Sequence, residues 1–127
     1  MAFIEKNLNP KNRNASDCVV RAIMCAENKS WLEVYDELCA IGRKKNDIPS
    51  SKRVFNEYLK KYKTLNPMYI DKSEKKHRYK VSEIEGIHKN KIIIVQLAGH
   101  MACVKFGDLI DTWNCSNKAI YKMWHVC

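Results

Sequence analysis

Lys91-Ile-Ile-Ile-Val-Gln-Leu-Ala-Gly-His100-Met-Ala-Cys-Val-Lys-Phe-Gly-Asp-Leu-Ile-Asp111-Thr112 is the stretch whose reading decides the fold. Short apolar runs bounded by glycine, too brief for helices, predict strands over Ile92–Leu97, Met101–Phe106 and Leu109–Thr112. Gly99 and Gly107-Asp108 mark the tight connections between them. A last strand is expected over Ala119–Val126, and a small earlier one near Met68–Ile70.

Upstream of Lys91 the pattern is helical. Asn12-Arg-Asn-Ala-Ser-Asp-Cys18 is polar and loop-like, then turns into an apolar helical run, so a first helix is expected over Asp17–Glu27 with Ser16 or Asn14 as its cap. Asp17 and Arg21 have the spacing of a helix ion pair. Ser30-Trp-Leu-Glu33 reads as a capping box opening a second helix that closes near Gly42. A third helix is expected over Ser51–Tyr62, and a short one over Val81–His88. Helices followed by strands predict an α+β class, with N-terminal helices packed on a C-terminal antiparallel sheet.

At 127 residues the chain reads as one domain, 1–127, long enough to bury roughly two thirds of its unfolded surface. Its 46% hydrophobic content excludes a disordered chain, and no apolar run is long enough for a membrane helix. The N-terminus lacks the apolar core of a secretory signal, and six cysteines without one are expected to be reduced thiols in the cytoplasm. None forms a Cys-x-x-Cys pair. A looser metal-binding group of His100, Cys103, Cys115, His125 and Cys127 is a competing reading of those side chains.

The net charge of +9 raises nucleic-acid binding as a possibility. Its lysines are scattered over several segments without the aromatic spacing of a single-strand-binding platform, so a solvated face, or one that attracts an acidic partner, is the expectation.

Cys18 is the strongest chemical candidate. A thiol at a helix start feels unpaired N–H groups and the positive end of the helix dipole, both of which favour thiolate. His100, at the head of a strand, can supply the base. His77 and His88 lie in lysine-rich segments, and His125 is close to the end of the sequence. Asp111 can orient the imidazole, with Asn114 as the alternative third member, while Trp113 can shield the histidine–acceptor bond.

This order and these segments, Asn14-Ala-Ser-Asp-Cys18-Val-Val-Arg-Ala22, Trp31-Leu-Glu-Val-Tyr-Asp-Glu-Leu38, Gly99-His100-Met-Ala-Cys-Val104 and Asp111-Thr-Trp-Asn114, resemble the papain-like cysteine peptidase superfamily. They are most similar to the small peptidase C39-like proteins of phages and bacteria. The resemblance implies a papain-like domain in which the nucleophile's helix packs on the sheet bearing the base. It also implies a Cys18–His100–Asp111 triad acting on an amide bond through a thioester, with no metal or organic cofactor. The substrate would be a peptide, a protein or a small amide conjugate; a phage-encoded protein would work in the bacterial host cell. Papain-like enzymes complete the oxyanion hole with a glutamine upstream of the cysteine. Here Asn12 has that spacing and Asn14 lies closer, so both are candidate donors. A catalytically silent binding protein of the same fold and a basic nucleic-acid-binding protein are the alternative functions.

Overall fold

The computed structural model describes residues 1–127 and has an α+β architecture. Three helices, α1 (Cys18–Glu27), α2 (Trp31–Lys45) and α3 (Lys52–Leu59), precede most of the strands. The strands are β1 (Phe3–Glu5), β2 (Lys63–Leu65), β3 (Met68–Ile70), β4 (Lys76–Arg78), β5 (Ile92–Leu97), β6 (His100–Lys105), β7 (Asp108–Asp111) and β8 (Lys122–His125). Six form one sheet in the order β1-β7-β6-β5-β8-β2, and β3 pairs with β4 in a separate hairpin. Only β1 with β7 is parallel; the other pairs are antiparallel.

The alternation of side chains along β5 explains why that strand is apolar throughout. Ile92 and Ile94 face the helices, where they meet Val19, Ile23, Leu38, Phe55 and Trp124; Ile93, Val95 and Leu97 face Val81, Ile84, Leu109, Ile120 and Met123. A strand covered on both faces has no solvent side to hold polar residues. Each fully buried Ile or Leu contributes about 1.5–3 kcal/mol relative to exposure.

Several boundaries differ from expectation, for local reasons. Neither Ser16 nor Asn14 caps α1: Asp17 occupies that position, and its carboxylate bonds other side chains instead of helix N–H groups. α2 runs past Gly42 to Lys45 and ends on Asn46 in the left-handed conformation. Gly42 serves packing there, because a Cβ would come within 2.5 Å of the Asp47 carbonyl oxygen. The Ser30–Glu33 capping box is present as expected.

α3 stops at Leu59 because the chain must extend into β2, which pairs with β8. The Val81–His88 helix is a single 3₁₀ turn, Val81–Ile84. The Ala119–Val126 strand shortens to Lys122–His125, since Ala119 pairs with Lys80 and the Ile120 N–H bonds the Tyr79 carbonyl. Phe106 and Gly107, both at positive φ, form the two-residue β6–β7 turn. No helix is long and apolar enough to cross a membrane.

Candidate active site

Cys18 is the first residue of α1, and the first bond inside that helix runs from the Arg21 N–H to the Asp17 carbonyl at 2.9 Å. The Cys18, Val19 and Val20 N–H groups therefore have no helical partner, as the geometry of a helix start requires. The Cys18 thiol is partly buried and lines the same cleft as His100 and Met101, whose imidazole and N–H act to lower its pKa.

His100 reaches that thiol from the head of β6, after a tight Ala98-Gly99 link in which Gly99 has φ +63°. Its Nε2 lies 2.6 Å from Asp111 Oδ2, so Nδ1 is the ring nitrogen left to exchange a proton with sulfur. Asp111, the last residue of β7, is 4% exposed. It also accepts bonds from the Thr112 N–H at 2.7 Å and Arg21 Nη1 at 3.1 Å, and Cys115 Sγ lies 3.7 Å from Oδ2. The carboxylate is thus saturated with donors and fixed in place.

Arg21 extends this chain of charges. Its Nε donates to Asp17 Oδ1 at 2.8 Å while Nη1 reaches Asp111. Asp17 Oδ2 accepts from Asn9 Nδ2 and Trp31 Nε1, each at 3.0 Å. The expected Asp17–Arg21 pair is present, and its second partner across the sheet end is new.

The protonation states follow from these contacts. Burial works against a charged Cys18, but the bonds to His100 and Met101 and the positive charges of His100 and Arg21 prevail, so its pKa falls. Burial likewise opposes an imidazolium; the bonds to Asp111, Cys115 and Cys18 overcome it and raise His100 to about 11. Asp111 is lowered despite burial, chiefly by the His100 bond and the Thr112 N–H. All three shifts favour a thiolate–imidazolium pair beside an ionised carboxylate.

A cleft of about 280 Å³ opens beside Cys18 and His100, between the start of α1, the start of α3 and the end of β5. Val19, Phe55, Leu97 and Met101 give it an apolar floor, while Ser16, Ser50, Lys52 and Gln96 add polar groups. Gln96 escaped the reading of the sequence. It is the one polar residue in β5 and shares the alternation of Ile92 and Ile94, so it belongs to the helix-facing side. Its side-chain amide makes no hydrogen bond within the protein. A polar residue at an inward position of an apolar strand was the available signal.

The other candidates lie elsewhere. Asn12 and Asn14 are exposed and do not line the cleft; Asn12 takes part in a turn, with its N–H on the Asn9 carbonyl at 2.9 Å. Asn114 is exposed, and its Oδ1 accepts from the Ser116 N–H at 3.0 Å. Trp113 covers part of the imidazole, with ring centroids 4.9 Å apart, while staying 42% exposed.

Of the looser metal group, His100 and Cys115 come together, joined by Asp111, with ligand atoms within 4.8 Å of one another. Cys103 lies in the opposite, helix-side core, against Cys25. His125 sits on β8 between Ile93 and Lys63, and Cys127 is exposed. His100, Asp111 and Cys115 are the residues that could hold a metal, but their donor atoms already bond one another.

Comparison with protein-family models, with curated proteins and with solved structures finds no match to this chain.

Proposed function

We propose that this protein is a papain-like cysteine hydrolase that cleaves an amide bond through a thioester on Cys18. The observation carrying this reading is a thiol at an open helix start that shares a cleft with an imidazole whose Nε2 is held by a buried carboxylate. Such a constellation makes a nucleophile at neutral pH and a proton donor for its leaving group.

In the first step the Cys18 thiolate bonds the carbonyl carbon, and the C=O electron pair moves onto oxygen. The Cys18 N–H and the Gln96 amide stabilise that oxyanion, Gln96 taking the place first expected of Asn12 or Asn14. The C–N bond then breaks as the His100 imidazolium gives its proton to the departing amine. Neutral His100 next takes a proton from water, whose oxygen bonds the thioester carbon. The C–S bond breaks, releasing the carboxylic acid and restoring the thiolate–imidazolium pair. Asp111 holds the ring and supports its charge throughout. The sequence of steps needs neither metal nor organic cofactor.

The test is the pH dependence of iodoacetamide alkylation, read at each cysteine by mass spectrometry, in wild type and His100→Ala. Selective reaction of Cys18 near neutral pH, lost in the variant, supports the hydrolase. Ordinary thiol behaviour in both proteins overturns it.

A further inference from the structure

The β3–β4 hairpin stands apart from the main sheet and is rich in exposed cations, which outnumber its acidic residues Asp71 and Glu74. Its strands are three residues each, paired Met68↔Arg78, Tyr69↔His77 and Ile70↔Lys76. An isolated pair this short is not stable alone, so the structure braces it. Asp71 Oδ1 accepts the Ser73 and Lys75 N–H groups at 2.8 and 3.0 Å, and His77 Nε2 lies 2.5 Å from Asp71 Oδ2. Tyr69 packs on His77 and Tyr79, with centroids 5.3 and 4.8 Å apart.

This fixed hairpin presents charge to solvent. Lys72, Lys75, Lys76, Arg78 and Lys80 are exposed, and no carboxylate forms a salt bridge with any of them. The Arg43–Lys45 cluster has a ready account, since cations at a helix C-terminus complement its dipole. The hairpin lysines have none.

The hairpin also connects to the catalytic end of the sheet. Arg78 lies over the Tyr121 ring at 4.5 Å and donates toward the Ile120 and Tyr121 carbonyls at 3.4 and 3.5 Å. Tyr121, Trp113 and Lys118 line a second cavity, about 220 Å³, whose wall includes His100 but not Cys18. In acyl transfer the acyl half stays on sulfur and the amine takes the proton from the histidine. A cavity on the far side of His100 therefore belongs with the leaving amine. Trp113 and Tyr121 are 42% and 45% exposed there, so two aromatic side chains border the same cavity.

We propose that the hairpin and this cavity form a docking surface for an acidic polypeptide segment on the amine side of the scissile bond. The proposal rests on the hydrolase reading for its placement and on the hairpin for its charge. An extended acidic chain matches lysines that have no carboxylate partner, and the aromatic pair beside His100 takes an apolar side chain of the same segment. Nucleic acid is the less favoured occupant, because the hairpin's rings stack on one another and leave no open platform for bases.

The test measures fluorescence anisotropy of a labelled oligo-glutamate peptide and, in parallel, a labelled oligo-thymidylate of matched charge. The wild type is expected to prefer the peptide, with affinity falling as salt rises. K72E/K75E/K76E should weaken peptide binding about tenfold or more, whereas K44E/K45E, on the end of α2, should leave it near wild type. Saturating peptide should also shift the His100 imidazole resonances. No peptide binding, equal losses in both variants, an unmoved His100, or preference for oligo-thymidylate each overturns the proposal. Alkylation of Cys18 in the absence of peptide reports separately on the triad. Ordinary Cys18 reactivity with intact hairpin binding removes the hydrolase and leaves an acidic-peptide binder.

Discussion

Arg21 Nη1 stands 3.1 Å from Asp111 Oδ1, and the same guanidinium holds Asp17 at 2.8 Å, so one arginine on the first helix secures two buried carboxylates. It ties the helix that begins at Cys18 to the strand that carries Asp111. It also cancels the charge of Asp17, which sits next to Cys18 and would otherwise oppose the thiolate.

Removing that cation leaves the buried Asp17 without a counter-charge and takes one donor from Asp111, which keeps His100 and the Thr112 N–H. Arg21→Met should lower stability by about 3–5 kcal/mol, read as a reduced urea midpoint. Adding Asp17→Asn should recover part of the loss, because one stranded charge is gone. Equal stability of Arg21→Met and wild type would remove the network from the account.

The pH dependence has a definite sign. Asp17 and Asp111 are lowered in the fold, so their contribution is complete above the ordinary carboxylate pKa of about 3.9 and is lost as pH falls through their folded values. His100 is raised to about 11, so its contribution is complete below about 6.5 and is lost as pH rises through 11. Asp111→Asn should bring the His100 titration down towards neutrality and move Cys18 alkylation to higher pH. Imidazole NMR titration of both proteins measures the shift.

Gln96→Ala should slow acylation of Cys18 by an ester such as p-nitrophenyl acetate by about 10²–10³-fold. Alkylation by iodoacetamide, which develops no oxyanion, should change little. Asn12→Ala and Asn14→Ala should leave acylation near wild type. A rapid-quench burst measurement separates these outcomes, and an unaffected Gln96→Ala would return the donor role to another group.

At Gly42 a new Cβ would press on the Asp47 carbonyl oxygen at 2.5 Å, a backbone atom that cannot turn aside. Gly42→Ala should cost about 1–3 kcal/mol despite its better helix propensity. Thermal unfolding of the variant is the measurement.

What could be read from the chain follows the range of the interactions. The apolar runs of β5, β6 and β7 and the helical stripes are local patterns, and each produced its element to within a few residues. The helix start at Cys18 and the strand head at His100 were visible for the same reason, as was Asp111 on the following run. The edge strands β1 and β2 went unseen because each has three residues and gains its identity only by pairing with β7 or β8. The Arg21–Asp111 contact spans 90 positions, beyond any helical spacing rule. The Asp17–Arg21 pair was legible from its helical spacing, but Asn9 and Trp31, which hold the other Asp17 oxygen, lie 8 and 14 positions away, outside that rule.

The order of these parts along the chain bears on how the protein is made. A nascent polypeptide that has left the ribosome through α3 already carries Cys18 but lacks β6 and β7, hence both His100 and Asp111. Its sulfur is then an ordinary thiol on an unfinished globule. The strands that bring His100 and Asp111 follow all three helices, so the sulfur acquires those neighbours only once β6 and β7 have joined the sheet.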